Sequence, residues 1–119
     1  MSNELQTIPE AVAEVGFVVT ETTMREFEML GRSLGIPVSV RPGGPTTDRL
    51  TPTPVSEAAP RSLSAIYGLD AFPFHTDAAH HRVPPRYLIL RLADGARSDT
   101  PTVVVDARPD RFNADEIKI

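Results

Sequence analysis

The stretch PRYLILRLADGARSDTPTVVVDA, residues 85–107, decides how this chain should fold. Two apolar runs, 85–92 and 101–107, are rich in leucine and β-branched residues and flank the polar segment ADGARSD. Runs of that length and composition, separated by a polar turn with a glycine, predict antiparallel strands in an all-β or α+β domain. Working upstream, GFVVT (16–20) and IPVSV (36–40) have the same bulky, β-branched character and are expected to be short strands.

Helices are expected between them. Thr7-Ile8-Pro9-Glu10 has capping-box spacing with proline at an early helical position, so a short helix should follow and stop at Gly16. A second capping box, Thr23-Met24-Arg25-Glu26, opens a helix whose inner face would hold Met24, Phe27, Leu30 and Leu34. Gly35 and Pro37 should end it. A last helix is expected near the C-terminus, with Asn113 as cap and Glu116 three places on. Residues 42–60, PGGPTTDRLTPTPVSEAAP, offer turn after turn and no helical period, which predicts a long, lid-like loop.

Bulk properties narrow the function. With 119 residues the chain fits a single domain, 1–119, with a core of its own. It has no cysteine, so neither a disulfide framework nor a thiolate metal cage is available. The formal charge of −4 argues against nucleic acid as a partner. No apolar run approaches the length needed to cross a bilayer, and the N-terminus lacks the basic and apolar regions of a signal peptide. The expectation is a cytoplasmic protein without a membrane partner. Charge is unevenly spread, with six glutamates against Arg25 in residues 1–30 and six arginines between Arg82 and Arg111.

All three histidines lie in AFPFHTDAAHHRVPPRYLIL, residues 71–90. In a strand, residues two apart point to one face, so His75 and Asp77 would project together. An imidazole nitrogen beside a carboxylate oxygen provides two of the three ligands of a non-haem Fe(II) facial triad. His80 and His81 follow closely, and a return to the same metal through Ala78 and Ala79 would be tight.

The combination of an aromatic run, His75-Thr76-Asp77, the Pro84-Pro85 pair and the apolar 87–92 segment resembles the taurine dioxygenase-like family of Fe(II)/2-oxoglutarate-dependent oxygenases. With LGIPV and SLSAIYG upstream, the similarity runs over about residues 15–112. The resemblance implies the N-terminal half of a double-stranded β-helix (jelly roll) preceded by two short helices, an α+β arrangement. It implies His75 and Asp77 as iron ligands, with no catalytic side chain beyond them. It further implies Thr102 as a contact of a 2-oxoglutarate carboxylate and Tyr67 as a substrate contact. Fe(II) would be the metal and 2-oxoglutarate the co-substrate, with hydroxylation of a small-molecule substrate coupled to release of succinate and CO₂. Family members are longer, and their distal histidine ligand and 2-oxoglutarate-clamping arginine have no counterpart in these residues. A second-half polypeptide or a second copy is therefore an expected partner. Two other classes fit the same residues. One is a catalytically silent chain, or subunit of a split enzyme, that binds metal or a protein. The other is a hydrolytic Zn²⁺ site made by His75, Asp77 and either His80 or His81.

Overall fold

The computed structural model of the chain describes residues 3–97 and 99–106. Two compact units are present, one made of Met1–Ile36 with Tyr87–Ile119, the other of Pro37–Arg86.

In the first unit, α1 (Asn3–Val15) and α2 (Met24–Leu34) carry the core. The Thr23 box forms as the spacing predicts. Its Oγ1 accepts from the Glu26 N–H at 3.2 Å, and the Glu26 carboxylate accepts from the Thr23 N–H at 2.8 Å. Two of the orphan donors at the helix start are thereby satisfied. Removing the side-chain half with Thr23→Ala should cost about 1 kcal/mol, visible as a lower urea midpoint by circular dichroism, whereas Thr23→Ser should hold the wild-type value. Along α2 the inner positions are Phe27, Leu30, Gly31 and Leu34, an i, i+3, i+4, i+7 stripe. Met24, expected on that stripe, is 45% exposed at the helix mouth.

Helix α1 begins four residues before Thr7, so the Thr7–Glu10 pattern lies inside the helix rather than at its cap. Glu4, Leu5 and Gln6 are good helix formers, and they carry the helix past Pro9, which has no N–H to give to the Leu5 carbonyl and crowds it. The helix ends as expected at Gly16, whose φ of +98° turns the chain while its N–H bonds the Val12 carbonyl at 2.8 Å. Ile8 and Leu30 are the buried apolar residues among those described, with Val12, Leu34 and Ile89 packed against them.

The α+β jelly-roll expectation is overturned. Among the described residues no strand forms at 16–20, 36–40, 85–92 or 101–106, and the regular elements are helical. A period of two survives in residues 87–92 without a sheet. Tyr87, Ile89 and Arg91 are partly buried, and Leu88, Leu90 and Leu92 are exposed. Ile89 lies on the α1–α2 core and Arg91 donates from Nε to the Thr22 carbonyl at 3.2 Å. One face of an extended segment is thus fixed by the helices, but its backbone has no neighbouring strand to form a ladder. The polar turn is present: the Ala96 N–H bonds the Ala93 carbonyl at 3.0 Å, with Gly95 at φ +73°. The helix expected from Asn113 lies outside the described residues.

The Pro37–Arg86 unit is mostly irregular, as the proline and glycine content of residues 42–60 predicts. Arg41 closes its first bend on Asp48 at 2.9 Å. A 3₁₀ turn at Val55–Glu57 then packs on the short helix α3 (Ser64–Tyr67). No described helix is long and apolar enough to cross a membrane.

Candidate metal centre

The candidate site is built entirely from the Pro37–Arg86 unit. Gly68 ends α3, donating its N–H to the Ser64 carbonyl at 2.9 Å, and Asp70 bonds back to the Tyr67 carbonyl at 2.9 Å. That double turn brings residues 72–75 past the end of α3. Tyr67 then meets Phe72 edge to face, ring centroids 5.1 Å apart at 79°, and Phe72 meets His75 the same way at 4.5 Å and 86°. An open groove of about 280 Å³ runs along these rings, lined by Leu63, Tyr67, Phe72, His75, Thr76 and His80 among others.

His75 and Asp77 come together as their spacing predicts, with Nε2 3.1 Å from Oδ1. The cause differs from the expected one. No strand alternation aligns them; residues 71–76 are irregular, and a turn follows in which His81 N–H bonds the Ala78 carbonyl at 2.9 Å. Ala78 takes the left-handed φ of +53° there, a conformation that costs a non-glycine residue about 1–2 kcal/mol.

The other ring nitrogen, Nδ1, is 2.9 Å from the Pro73 carbonyl oxygen. A carbonyl only accepts, so this contact is a hydrogen bond in a ring that carries its proton on Nδ1. Nε2 faces a carboxylate, also an acceptor when ionised, so both contacts are hydrogen bonds together only in the doubly protonated ring. In the neutral ring with its proton on Nδ1, Nε2 and the Asp77 carboxylate are both lone-pair donors, which only a shared cation can hold side by side. An imidazole held at Nδ1 by a backbone carbonyl is the usual outer support of a metal-binding histidine.

The pair also has the right separation for a metal. Two cis ligands each about 2.1 Å from a divalent ion at right angles lie about 3.0 Å apart, and the observed separation is 3.1 Å. One nitrogen and one oxygen donor with no sulfur suit borderline and hard divalent ions. The side chains are 47% and 46% exposed, so an ion could reach them from solvent. As an ion pair alone they would contribute no more than about 1 kcal/mol at such exposure.

Around this pair the other expected residues are distributed unevenly. Tyr67 lines the same groove, and touches His75 only through Phe72. His80 lines the groove as well, its ring 4.6 Å from that of His81 and nearly perpendicular to it. His81 Nε2 lies 3.3 Å from the Val40 carbonyl. Among the described residues no group of three histidine, cysteine, aspartate or glutamate side chains forms a cage for a metal ion. Thr102 is exposed in the irregular 101–106 segment and belongs to the other unit. Phe72 and the Pro73 carbonyl, which hold the His75 ring, have no role in the sequence reading beyond membership of the aromatic-proline run. Their only signal is that run standing directly before a histidine.

Compared with known proteins, the chain matches no protein-family model, no curated protein and no solved structure at a significant level.

Proposed function

We propose that this chain binds Fe(II) through His75 and Asp77 and acts as a component of an Fe(II)/2-oxoglutarate-dependent dioxygenase on a small-molecule substrate. The observation that carries the reading is the 3.1 Å approach of Nε2 to Oδ1 with Nδ1 held on the Pro73 carbonyl. The likeness of residues 72–92 to the taurine dioxygenase-like pattern supplies the choice of metal and co-substrate. When bound, Fe(II) with 2-oxoglutarate would provide the oxidising power for hydroxylation, releasing succinate and CO₂. This chain's own contribution is orientation: the Pro73 carbonyl fixes the tautomer of His75, and Asp77 adds the negative charge. Tyr67 offers a ring and a hydroxyl along the groove to a substrate. A third protein ligand and a carboxylate-clamping arginine lie outside these residues, a second-half polypeptide or a second copy is the proposed partner, and the protein works in the cytoplasm without nucleic acid or membrane as partner.

Anaerobic calorimetric titration with Fe(II), and with Mn(II) as a redox-quiet substitute, tests the site. Weak, reversible binding is expected in the parent chain. His75→Ala should abolish it, and His81→Ala should leave it nearly unchanged. Binding that survives in the His75 variant sinks the assignment.

A second reading, a catalytically silent chain that binds metal or a protein partner, is favoured by the exposed Leu88, Leu90 and Leu92 on a segment whose other face is already packed. Succinate formation separates the two. The silent chain binds metal but forms no succinate from 2-oxoglutarate and oxygen under any pairing with a second polypeptide.

A further inference from the structure

We infer that Phe72 is a positioning residue that sets the plane of the His75 ring, through a stack of rings anchored where Gly68 meets Val55. Its importance for metal binding rests on the reading of His75 as a ligand; the ring geometry itself does not.

A histidine ring has a broad, nearly two-fold torsion about its second side-chain bond, so something must choose its plane. The Nδ1 contact to the Pro73 carbonyl and the Nε2 contact to Asp77 hold two atoms of the ring, but both are exposed bonds that water can replace, so neither keeps the plane fixed on its own. Phe72 supplies the missing constraint, standing 4.5 Å away at 86°, within the edge-to-face range that aromatic pairs prefer. Tyr67 backs Phe72 from its far side at 5.1 Å, and Tyr67 is the last residue of α3. The next residue, Gly68, lies so close to Val55 that an added Cβ would stand 2.8 Å from its Cγ2. The stack is therefore built on the contact between α3 and the 3₁₀ turn. Pro73 helps as well, since its ring fixes its own φ and holds Phe72 in extended backbone.

Phe74 provides an internal control. It is adjacent to His75 in sequence, yet it is 71% exposed and makes none of the ring contacts among the described residues. Phe72, at 42% exposed, covers less water-facing surface and touches two rings. If an aromatic neighbour acted merely by shielding the site, the two would be interchangeable.

The experiment follows the His75 ring resonances by NMR in the metal-free full chain, alongside Mn(II) affinity by calorimetry. Phe72→Leu keeps apolar bulk but removes the ring. It should move the His75 resonances toward those of an unconstrained histidine and weaken Mn(II) binding about three- to ten-fold, the range an edge-to-face ring contact contributes. Phe72→Tyr restores the ring and should restore both readouts, and Phe74→Leu should alter neither. Unmoved His75 resonances in Phe72→Leu, or equal effects from Phe72→Leu and Phe74→Leu, would overturn the inference. If the parent chain binds no Mn(II), the metal-site reading fails, and the resonances still decide whether Phe72 positions the ring.

Discussion

Replacing Gly68 with alanine should destabilise the Pro37–Arg86 unit by about 2–5 kcal/mol. Two independent penalties add at this position. Gly68 has φ +55° and ψ −123°, a region that an L side chain enters only at considerable cost. The new methyl would also lie 2.8 Å from Val55 Cγ2 and 3.1 Å from the Val55 backbone nitrogen. A side-chain tip can rotate away, but a backbone nitrogen cannot, so α3 and the 3₁₀ turn must separate. Gly16→Ala is the informative comparison. Its φ of +98° carries the conformational penalty, while no atom lies within 4 Å of the added Cβ. It should therefore cost only the conformational part, about 1–2 kcal/mol. Hydrogen exchange resolved by peptide is the measurement. Gly68→Ala should open residues 53–76 while protection in α2 is retained. Because Tyr67 precedes Gly68 and carries the ring stack to His75, Mn(II) affinity should fall with it. Identical exchange in the parent and Gly68→Ala chains would refute the close-approach argument.

What could be read in the sequence and what could not divides along the range of the interactions concerned. The Thr23 box needs residues three apart, and both of its bonds are formed. The stops at Gly16 and Gly35 are equally local. The alternation at 87–92 is real, with Ile89 inward and Leu90 outward. It marks an extended, half-covered segment and not a sheet. Side-chain alternation records burial on one face, whereas a strand is defined by backbone bonds to a neighbour that the local pattern does not specify. The same distinction applies to GFVVT and IPVSV, whose β-branched residues favour extended backbone but find no ladder among the described residues. Pairing of His75 with Asp77 was legible because two residues apart is a short distance in any extended or turning chain. Phe72 was not, since its meeting with His75 depends on the double turn at Gly68 and Asp70 and on Tyr67 behind it. Met24 shows the limit of helical periodicity at a helix end. It has the right phase for the inner face, but the first turn extends beyond the residues that would cover it.

The full chain should associate in a concentration-dependent way through the Leu88–Leu90–Leu92 stripe, and Leu90→Lys should abolish that association. Ile89 and Arg91 hold the opposite face of the segment on the first unit, so the three leucines project together along one line. Burying each contributes about 1.5–3 kcal/mol. If two copies meet symmetrically, six leucines are covered, a gross gain of roughly 9–18 kcal/mol. Lost translational and rotational freedom opposes this by about 4–15 kcal/mol. These ranges overlap, and the leucines are already partly covered, so the association is weak, with dissociation in about the millimolar range. An unladdered backbone edge beside the stripe adds hydrogen-bonding groups that a second copy or a second polypeptide can satisfy. Leu90 stands at the centre, so in a symmetric pair one substitution removes two buried leucines and introduces two charges. That loss of about 3–6 kcal/mol exceeds the net gain, and the variant should be monomeric at every accessible concentration. Ile89→Lys is the opposite case. It strikes the packed face and should unfold the α1–α2 core rather than dissociate a folded chain. Light scattering across a dilution series, read with circular dichroism on each variant, separates these outcomes. A parent chain that stays monomeric at millimolar concentration, or a Leu90→Lys chain that still associates, would show that the leucine stripe is covered by something other than a partner.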